Sequence, residues 1–200
     1  MYGSVLHVLP DTRVQKYSMS VAEKLNLVKA AIKEYPNFPK PGIMFQDIFG
    51  VLADPEAGKA LMDLANGHAV ASADQVDIVV GLDARGFLFG FSMAQAIGKP
   101  FVPIRKAGKL PGNCTSVKYA LEYGEDTMEV QKGSIKKGDR VLVVDDLLAT
   151  GGTLTAACEL IKKCGGEVAH CWVIIELALL KGRDKVGEKV EALVVMEDVE

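Results

Sequence analysis

The sequence predicts an α/β fold in which a mostly parallel central sheet carries helices on both faces. Short apolar runs, typical of buried strands, alternate along the chain with segments of helical periodicity. The chain has 200 residues, enough for one domain that buries about 70% of its unfolded surface. Apolar residues make up 49% and charged residues 24%, as in an ordinary globular protein.

Each predicted element has a local signal. Ser20 and Glu23 form a capping box before a helix whose apolar residues share one face. Asp54 is the N-cap of a second helix, and Gly98 ends a third. Apolar runs predict the strands, and a Pro- and Gly-rich stretch predicts a shaped loop. In chain order the elements are helix 20–33, loop 35–49, helix 55–71, strand 76–82, helix 87–97, strand 100–104, a hairpin-like arm at 115–130, strand 141–144, helix 153–164, and strands 168–175 and 192–196.

Strands that alternate with helices imply right-handed crossovers and a parallel sheet. Ligands of such sheets bind outside the carboxyl ends of the strands. The loops that follow residues 82, 104 and 144 all fall at that edge. The sequence therefore predicts one site there, built from three loops.

The most informative of these loops follows the strand at 141–144. Two adjacent acids, Asp145 and Asp146, come first, and a small-residue loop at 149–153 leads into a helix. Glycines and a helix N-terminus favour a phosphate, while the carboxylates suit ribose hydroxyls, so the run predicts a ribose 5-phosphate site. It is neither a Walker A loop nor a dinucleotide GxGxxG motif. A buried strand with an ordinary turn and a Thr N-cap is the alternative, but it leaves the two acids unexplained.

The other two loops carry cations. Arg85 lies between a strand and a helix, as a second anion site requires, although a surface arginine paired with an acid is an equally simple interpretation. Arg105, Lys106 and Lys109 crowd the loop after residue 104. Charge runs are usually solvated faces. At the same sheet edge, however, these cations supply a positive field that the whole chain lacks.

Charge and targeting signals exclude several classes of protein. The net charge of −3 argues against nucleic acid as a partner. There is no signal h-region and no apolar run long enough to span a bilayer, so we expect a cytoplasmic protein without a membrane partner. Residues 1–18 show no periodicity and are predicted to be a disordered extension, which leaves 19–200 as a single domain.

The cysteines predict no metal site. Cys114, Cys158, Cys164 and Cys171 show neither CxxC spacing nor spacing paired with histidine. We expect them to be small, buried apolar residues in a reducing compartment.

Three runs of the chain resemble motifs of the type I phosphoribosyltransferases. These are Asp-Asp-Leu-Leu-Ala-Thr-Gly-Gly-Thr at 145–153, Gly-Leu-Asp-Ala-Arg-Gly-Phe at 81–87 and Arg-Lys-Ala-Gly-Lys-Leu-Pro at 105–111. With weaker matches, the resemblance covers roughly residues 38–183. It implies the fold of that family, with a small N-terminal hood at about 35–49 and a flexible catalytic arm at about 108–133.

The resemblance also implies roles for the phosphate-facing residues. A non-proline cis peptide is expected near Asp83, and Ala84 stands where the family usually has serine. Pyrophosphate contacts are expected from Asp83, Ala84, Arg85, Lys106 and Lys109, with Arg85 also a catalytic residue. Ribose-phosphate contacts are expected from Asp145, Asp146, Ala149, Thr150, Gly151, Gly152 and Thr153.

Further roles follow for the arm and the hood. Glu122 would be the acid/base catalyst, with its pKa raised when the arm closes, and Tyr123 would cover the reacting centre. Phe45 would stack on a purine. The expected adenine-binding set is Met44 through its backbone, Phe45, Gln46 in place of a common arginine, and Leu177 on the opposite face of the base.

The implied reaction is pentosyl transfer in purine salvage. Adenine and 5-phosphoribosyl-1-pyrophosphate would give AMP and pyrophosphate, with Mg²⁺ as cofactor held mainly by substrate oxygens and water rather than by direct protein ligands. A homodimer is also implied. Two alternatives remain: a transferase for hypoxanthine, guanine or xanthine, and a non-catalytic module that senses a nucleotide.

Overall fold

The computed structural model describes residues 19–121 and 124–197, so the extension expected at 1–18 lies outside the described residues. The N-terminal region packs three helices beside a two-stranded antiparallel hairpin. Its elements are α1 (Val21–Ala31), β1 (Lys33–Pro36), β2 (Met44–Asp47), α2 (Phe49–Ala53) and α3 (Pro55–Ala71). We call the pair of β1 and β2 the hood hairpin.

The rest of the described chain forms a seven-stranded sheet with its crossover helices. The strands are β3 (Ile78–Leu82), β4 (Phe101–Lys106), β5 (Cys114–Leu121), β6 (Gly124–Gln131), β7 (Arg140–Leu148), β8 (Glu167–Leu177) and β9 (Val190–Met196). The helices are α4 (Gly86–Ile97), α5 (Gly152–Lys163) and α6 (Gly182–Val186), with 3-10 turns at Ala73–Gln75 and Ala178–Leu180.

The strand order is β5-β6-β4-β3-β7-β8-β9. Four pairs are parallel, namely β4-β3, β3-β7, β7-β8 and β8-β9. In contrast, β6 pairs antiparallel with β4 and with β5. This confirms the predicted mostly parallel sheet and the hairpin in the arm, which we call the arm hairpin. It joins the sheet through two residue pairs, Arg105 with Glu129 and Lys106 with Met128.

The core lies on both faces of the sheet, because side chains alternate along each strand. Val141 and Val143 pack into the cluster that α5 covers. Leu142 and Val144 pack into the cluster covered by α1, α3 and α4. The helices therefore cover both faces, as predicted.

Several local predictions are confirmed. Ser20 Oγ accepts a hydrogen bond from the Glu23 amide, and the Glu23 carboxylate accepts one from the Ser20 amide. Asp54 caps α3, and Gly98 ends α4 in the left-handed conformation. Among the described residues, no helix is long and apolar enough to cross a bilayer.

Two predictions need correction here, and one helix was missed. Residues 35–49 are not only a loop, because they complete the hood hairpin and begin α2. The strand expected at 141–144 continues to residue 148, so the two acids lie inside β7 rather than after it. The short helix α6 was not predicted. The sequence obscures the length of β7 because charges interrupt its apolar run, while pairing with β8 continues as far as Leu148 and Glu176.

Candidate active site

The loops after β3 and β7 line one cavity of about 280 Å³ at the carboxyl edge of the sheet. The structure thus brings together the expected ribose-phosphate residues and three of the expected pyrophosphate residues. The predicted residues that line it are Asp83, Ala84, Arg85, Asp145, Asp146, Ala149, Thr150, Gly151, Gly152 and Thr153.

The phosphate loop, residues 149–153, presents its backbone to this cavity. Gly151 is the N-cap of α5, and its φ of 82° lies in the left-handed region that favours glycine. Because glycine has no side chain, it makes no capping hydrogen bond to the first amides of the helix. The Thr N-cap of the alternative interpretation is therefore not formed. Thr155 instead donates its hydroxyl hydrogen to the Gly151 carbonyl at 2.8 Å. The first amides of α5 are left for an anion, which the helix dipole also favours.

A second glycine holds the phosphate loop in place. Gly182, the first residue of α6, packs so closely that a Cβ built on it would lie 2.1 Å from the Ala149 carbonyl oxygen. A Cβ built on Gly151 would lie 2.4 Å from the Gly182 oxygen. Sequence reasoning missed Gly182, whose one signal is a glycine set among charged residues. Backbone-to-backbone packing therefore fixes the shape of the loop.

The acid pair, Asp145 and Asp146, is electrostatically unfavourable without a partner. Burial, followed by the neighbouring Asp146 charge, raises the pKa of Asp145 well above its usual range. Burial also raises the pKa of Asp146, although Arg85 opposes this shift. Hydroxyl donors or a cation in the cavity would favour the charged pair.

Arg85 links the acid pair to the hood hairpin. Its Nε donates to Asp146 Oδ2 at 2.8 Å, and its guanidinium carbon lies 5.8 Å from the centroid of the Phe45 ring. The loop before it contains the expected cis peptide, between Asp83 and Ala84. The structure thus shows Arg85 paired with an acid at the edge of the cavity, and its role in an anion site stays a prediction.

Arg105 and Lys106 lie at the end of β4, beside the arm hairpin, and not in the loop that was expected after residue 104, because β4 continues through them. Arg105 Nε donates to Asp83 Oδ2, and Lys106 Nζ pairs with Asp126 Oδ2, both at 2.9 Å. Asp126 was not predicted as a site residue. It lines, with Lys106, a second cavity of about 170 Å³ that shares Asp83 and Thr153 with the first.

Lys109 lies in the loop that follows β4. It is exposed, and its carbonyl oxygen accepts a hydrogen bond from Arg105 Nη1 at 3.2 Å. It does not line either cavity of the carboxyl edge. Its expected contact with pyrophosphate stays a prediction.

The hood hairpin turns different side chains to its two faces. Phe45 faces Arg85 and makes an edge contact with Phe38, with ring centroids 5.0 Å apart. Gln46, the next residue, is buried and donates its amide to Glu34 Oε1 at 3.1 Å. Because neighbours on a strand point to opposite faces, the Gln46 side chain lies away from Phe45. Met44 precedes Phe45 on the same strand.

The other expected site residues are placed as follows. Leu177 is the last residue of β8, at the carboxyl edge, and its side chain belongs to the core cluster that contains Val144. Glu122 and Tyr123 lie outside the described residues. Cys158 and Cys171 are buried free thiols, as expected, whereas Cys114 and Cys164 are only partly buried.

Comparison with known proteins gives consistent matches. A family model described as a phosphoribosyl transferase domain matches residues 51–197. An adenine phosphoribosyltransferase of Drosophila pseudoobscura pseudoobscura is 51% identical over 176 residues, which are 88% of this chain and 97% of that protein. One of Rattus norvegicus is 48% identical over 170 residues, which are 84% of this chain and 94% of that protein.

A solved structure matches over nearly the same span. The adenine phosphoribosyltransferase from Saccharomyces cerevisiae, complexed with an imino-altritol bisphosphate and adenine, superposes with a TM-score of 0.82 at 41% identity. The match covers 86% of this chain and 99% of that one. The chain therefore belongs to the phosphoribosyltransferase family, and within it to the adenine phosphoribosyltransferases.

Proposed function

We propose that this chain transfers the 5-phosphoribosyl group of 5-phosphoribosyl-1-pyrophosphate to adenine, which forms AMP and releases pyrophosphate. The observation that carries the proposal is one cavity that holds an acid pair, an uncapped glycine loop and Arg85. The carboxylates suit ribose hydroxyls, the backbone amides suit a 5-phosphate, and the guanidinium suits a pyrophosphate.

The residues divide the work of the reaction. The bond from ribose C1 to a pyrophosphate oxygen breaks, a bond from C1 to a purine nitrogen forms, and that nitrogen loses its proton. Asp145 and Asp146 hold the ribose, and the phosphate loop holds the 5-phosphate. Arg85 and Lys106, with Lys109, face the leaving group, where charge-assisted hydrogen bonds stabilise the developing anion.

A magnesium ion fits this cavity. Two partly desolvated carboxylates face one guanidinium, so an added cation would offset the charge that burial disfavours. We propose that the ion is held by substrate oxygens and by waters that the acid pair orients. When bound, it neutralises pyrophosphate oxygens. Turnover that survives complete chelation of divalent ions would contradict this part of the proposal.

Adenine is the proposed base because of the hood hairpin. Phe45 offers a ring for stacking, and the Met44 backbone offers a donor and an acceptor that suit the amine and ring nitrogen of adenine. Such a pair rejects hypoxanthine strongly, because the groups of the protein would stay unpaired. Adenine, hypoxanthine, guanine and xanthine should be assayed in competition with magnesium and 5-phosphoribosyl-1-pyrophosphate. We expect AMP alone, whereas IMP as the main product would favour the alternative transferase, and binding without turnover the sensing module.

Glu122 is proposed as the group that exchanges a proton with the purine. We expect Glu122→Leu to lower kcat by about two orders of magnitude or more, because general acid/base catalysis is worth that much. The KM for 5-phosphoribosyl-1-pyrophosphate should stay near its original value. The exposed Glu159 on α5 gives a matched control in Glu159→Leu, which should keep full turnover. Full turnover in Glu122→Leu would remove this residue from the mechanism.

We also propose a homodimer. The exposed surface of α4 supports it, since Leu88 and Phe91 are 50% and 55% exposed although both are large and apolar. Sedimentation equilibrium should give twice the mass of the chain, and Phe91→Glu should shift it toward the single-chain mass. A single-chain mass for the unmodified protein would contradict the proposal.

A cytoplasmic location is proposed as well. Cys158 and Cys171 are buried free thiols whose sulfur atoms lie 3.6 Å apart. Unlinked thiols persist in reducing compartments. Cell fractionation that recovers the protein with secreted or luminal markers would contradict this location.

A further inference from the structure

A cluster of two histidines and one glutamate lies away from the carboxyl edge. His68 comes from α3, His170 from β8 and Glu191 from β9, and we call them the histidine cluster. The two Nε2 atoms lie 2.9 Å apart, and Glu191 Oε2 lies 3.6 Å from His68 Nδ1. One ligand atom from each residue lies within 4.8 Å of the others.

The cluster is distant from the proposed active site. In the sheet register His170 pairs with Leu142, which is three residues before Asp145 on β7. Three residues of a strand span about 10 Å, and they run toward the carboxyl edge. The proposed transfer reaction uses none of the three residues.

The hydrogen bond between the two rings requires a lone pair on at least one of the Nε2 atoms. Burial, and then the charge of His68, lowers the pKa of His170 to about 4. Burial likewise lowers the pKa of His68, which the Glu191 charge only partly opposes. Burial thus disfavours the doubly protonated form of each ring, in which neither nitrogen could bind a metal.

We propose that His68, His170 and Glu191 bind one divalent transition-metal ion of the zinc class. Two imidazole nitrogens and one carboxylate are a ligand set that Zn²⁺ accepts, with water in the fourth position. Mg²⁺ prefers oxygen ligands and would not compete. With Zn–N bonds of about 2.0–2.1 Å, two tetrahedral ligand nitrogens lie about 3.3 Å apart, so the Nε2 atoms need to separate by about 0.4 Å. The Glu191 carboxylate, which faces His68 Nδ1, also has to turn toward the ion.

The environment allows an ion to enter. The His68 and Glu191 side chains are 18% and 38% exposed, while His170 is buried at the base of the cluster. Lys189 Nζ pairs with Glu191 Oε1 at 2.6 Å. Metal binding by the Glu191 carboxylate would weaken this ion pair. Lys189→Met should therefore tighten binding, because it removes both the competing cation and its repulsion of the ion.

Trp172 provides a local probe of occupancy. It is the one tryptophan of the chain, and its ring centroid lies 5.9 Å from that of His68. A bound Co²⁺ ion quenches indole fluorescence at such a distance, whereas an ion bound elsewhere on the chain does so far less. Titration of the full-length protein with Co²⁺, in excess Mg²⁺ to compete for oxygen ligands elsewhere on the chain, should give saturable quenching that Zn²⁺ reverses.

Matched variants separate the cluster from other ligands. The chain has three histidines, and His7 is the third. We expect His68→Gln and His170→Gln each to weaken Co²⁺ binding by at least about tenfold, and His7→Gln to leave it unchanged. The visible spectrum of the bound Co²⁺ should lack the thiolate charge-transfer bands that Cys114 or Cys164 would produce.

Three outcomes would overturn the proposal. They are stoichiometric Co²⁺ binding without quenching of Trp172, quenching that His7→Gln abolishes, and no binding by the unmodified chain at millimolar Co²⁺. If His170→Gln does not fold, ring-nitrogen NMR of the unmodified protein tests in its place whether the two histidines bind the ion. Zn²⁺ should then shift the Nε2 signals of two histidines and leave the third in place, and unshifted signals would contradict the site.

Discussion

The two sides of the proposed active site are built in different ways. On the phosphate side, Gly151 and Gly182 are buried and touch backbone to backbone. On the pyrophosphate side, the Lys106 side chain is 63% exposed and is held by its ion pair with Asp126. Packing fixes the first side, whereas the second depends on an exposed pair worth about 0–1 kcal/mol. In the proposed reaction, the rigid side would therefore hold the 5-phosphate, which stays on the product, and the adaptable side would face the pyrophosphate, which leaves.

The largest test of this comparison is Gly182→Ala. The added methyl group would collide with the Ala149 carbonyl and displace the phosphate loop. A misplacement of about 1 Å at a reacting group costs on the order of 100-fold, so we expect such a loss in kcat/KM for 5-phosphoribosyl-1-pyrophosphate. Steady-state kinetics at saturating adenine measures it.

The control for this variant is Gly67→Ala. Gly67 is exposed on α3, and nothing lies within 4 Å of a Cβ built on it. Alanine favours a helix over glycine by about 1 kcal/mol, so this variant should be fully active and slightly more stable. If Gly182→Ala kept more than a third of the original kcat/KM, the rigid-side interpretation would be wrong.

The adaptable side is tested by Lys106→Met. A hydrogen bond from a charged group contributes about 1.5–3 kcal/mol, which corresponds to a loss of about 10- to 100-fold in kcat/KM. The exposed Lys132, on the turn after β6, supplies the control Lys132→Met, which should be silent. Equal kinetics of the two variants would show that Lys106 does not face the leaving group.

A third test concerns how much the buried acid pair lowers the free energy of unfolding. The pKa of Asp145 is raised in the folded chain, so the folded state holds its proton more tightly than the unfolded state does. The free energy of unfolding therefore falls as pH rises from the unfolded pKa through the folded one. Asp145→Asn should lose activity yet raise the Tm of the ligand-free chain at pH 8 by about 2–4 °C, the effect of ~1 kcal/mol in a chain of this length.

The Tm difference should shrink at pH 4, where the wild-type carboxyl is protonated. Calorimetry at both pH values measures it. A variant that is less stable than the wild type at pH 8 would mean that the charged pair contributes favourably even without substrate.

The smallest expected effect belongs to Asp126→Asn. This change removes the ion pair of Lys106 and leaves that lysine available to pyrophosphate. Because such a pair is worth at most about 1 kcal/mol, the KM for 5-phosphoribosyl-1-pyrophosphate should fall by no more than about fivefold. A rise in KM would show instead that Asp126 positions Lys106 for the substrate.

The sequence predicted the parallel sheet, its helices and the arm hairpin because periodicity and caps are local signals. It did not predict the hood hairpin, since β1 and β2 are four residues each and are separated by a Pro- and Gly-rich turn. It also placed the end of β7 too early, because only pairing with β8 shows that a strand continues through two acids.

For the site, contiguous motifs could be found and tertiary contacts could not. The phosphate loop and the Arg85 loop were visible as runs of residues, and the structure brings them together. Gly182, Asp126 and the Gln46 to Glu34 hydrogen bond act across distant segments. The histidine cluster was equally hidden, because 102 residues separate His68 from His170.

The contact between Gly151 and Gly182 has a consequence for the length of the ligand. Only residues 178–181 separate Leu177, proposed to lie against the base, from Gly182, which braces the loop proposed for the 5-phosphate. In the proposed complex, this short stretch of chain would therefore set the distance between the groups that hold the two ends of a mononucleotide. An insertion or deletion at residues 178–181 would change this distance. Homologues that bind longer or shorter nucleotides should therefore differ first in these residues.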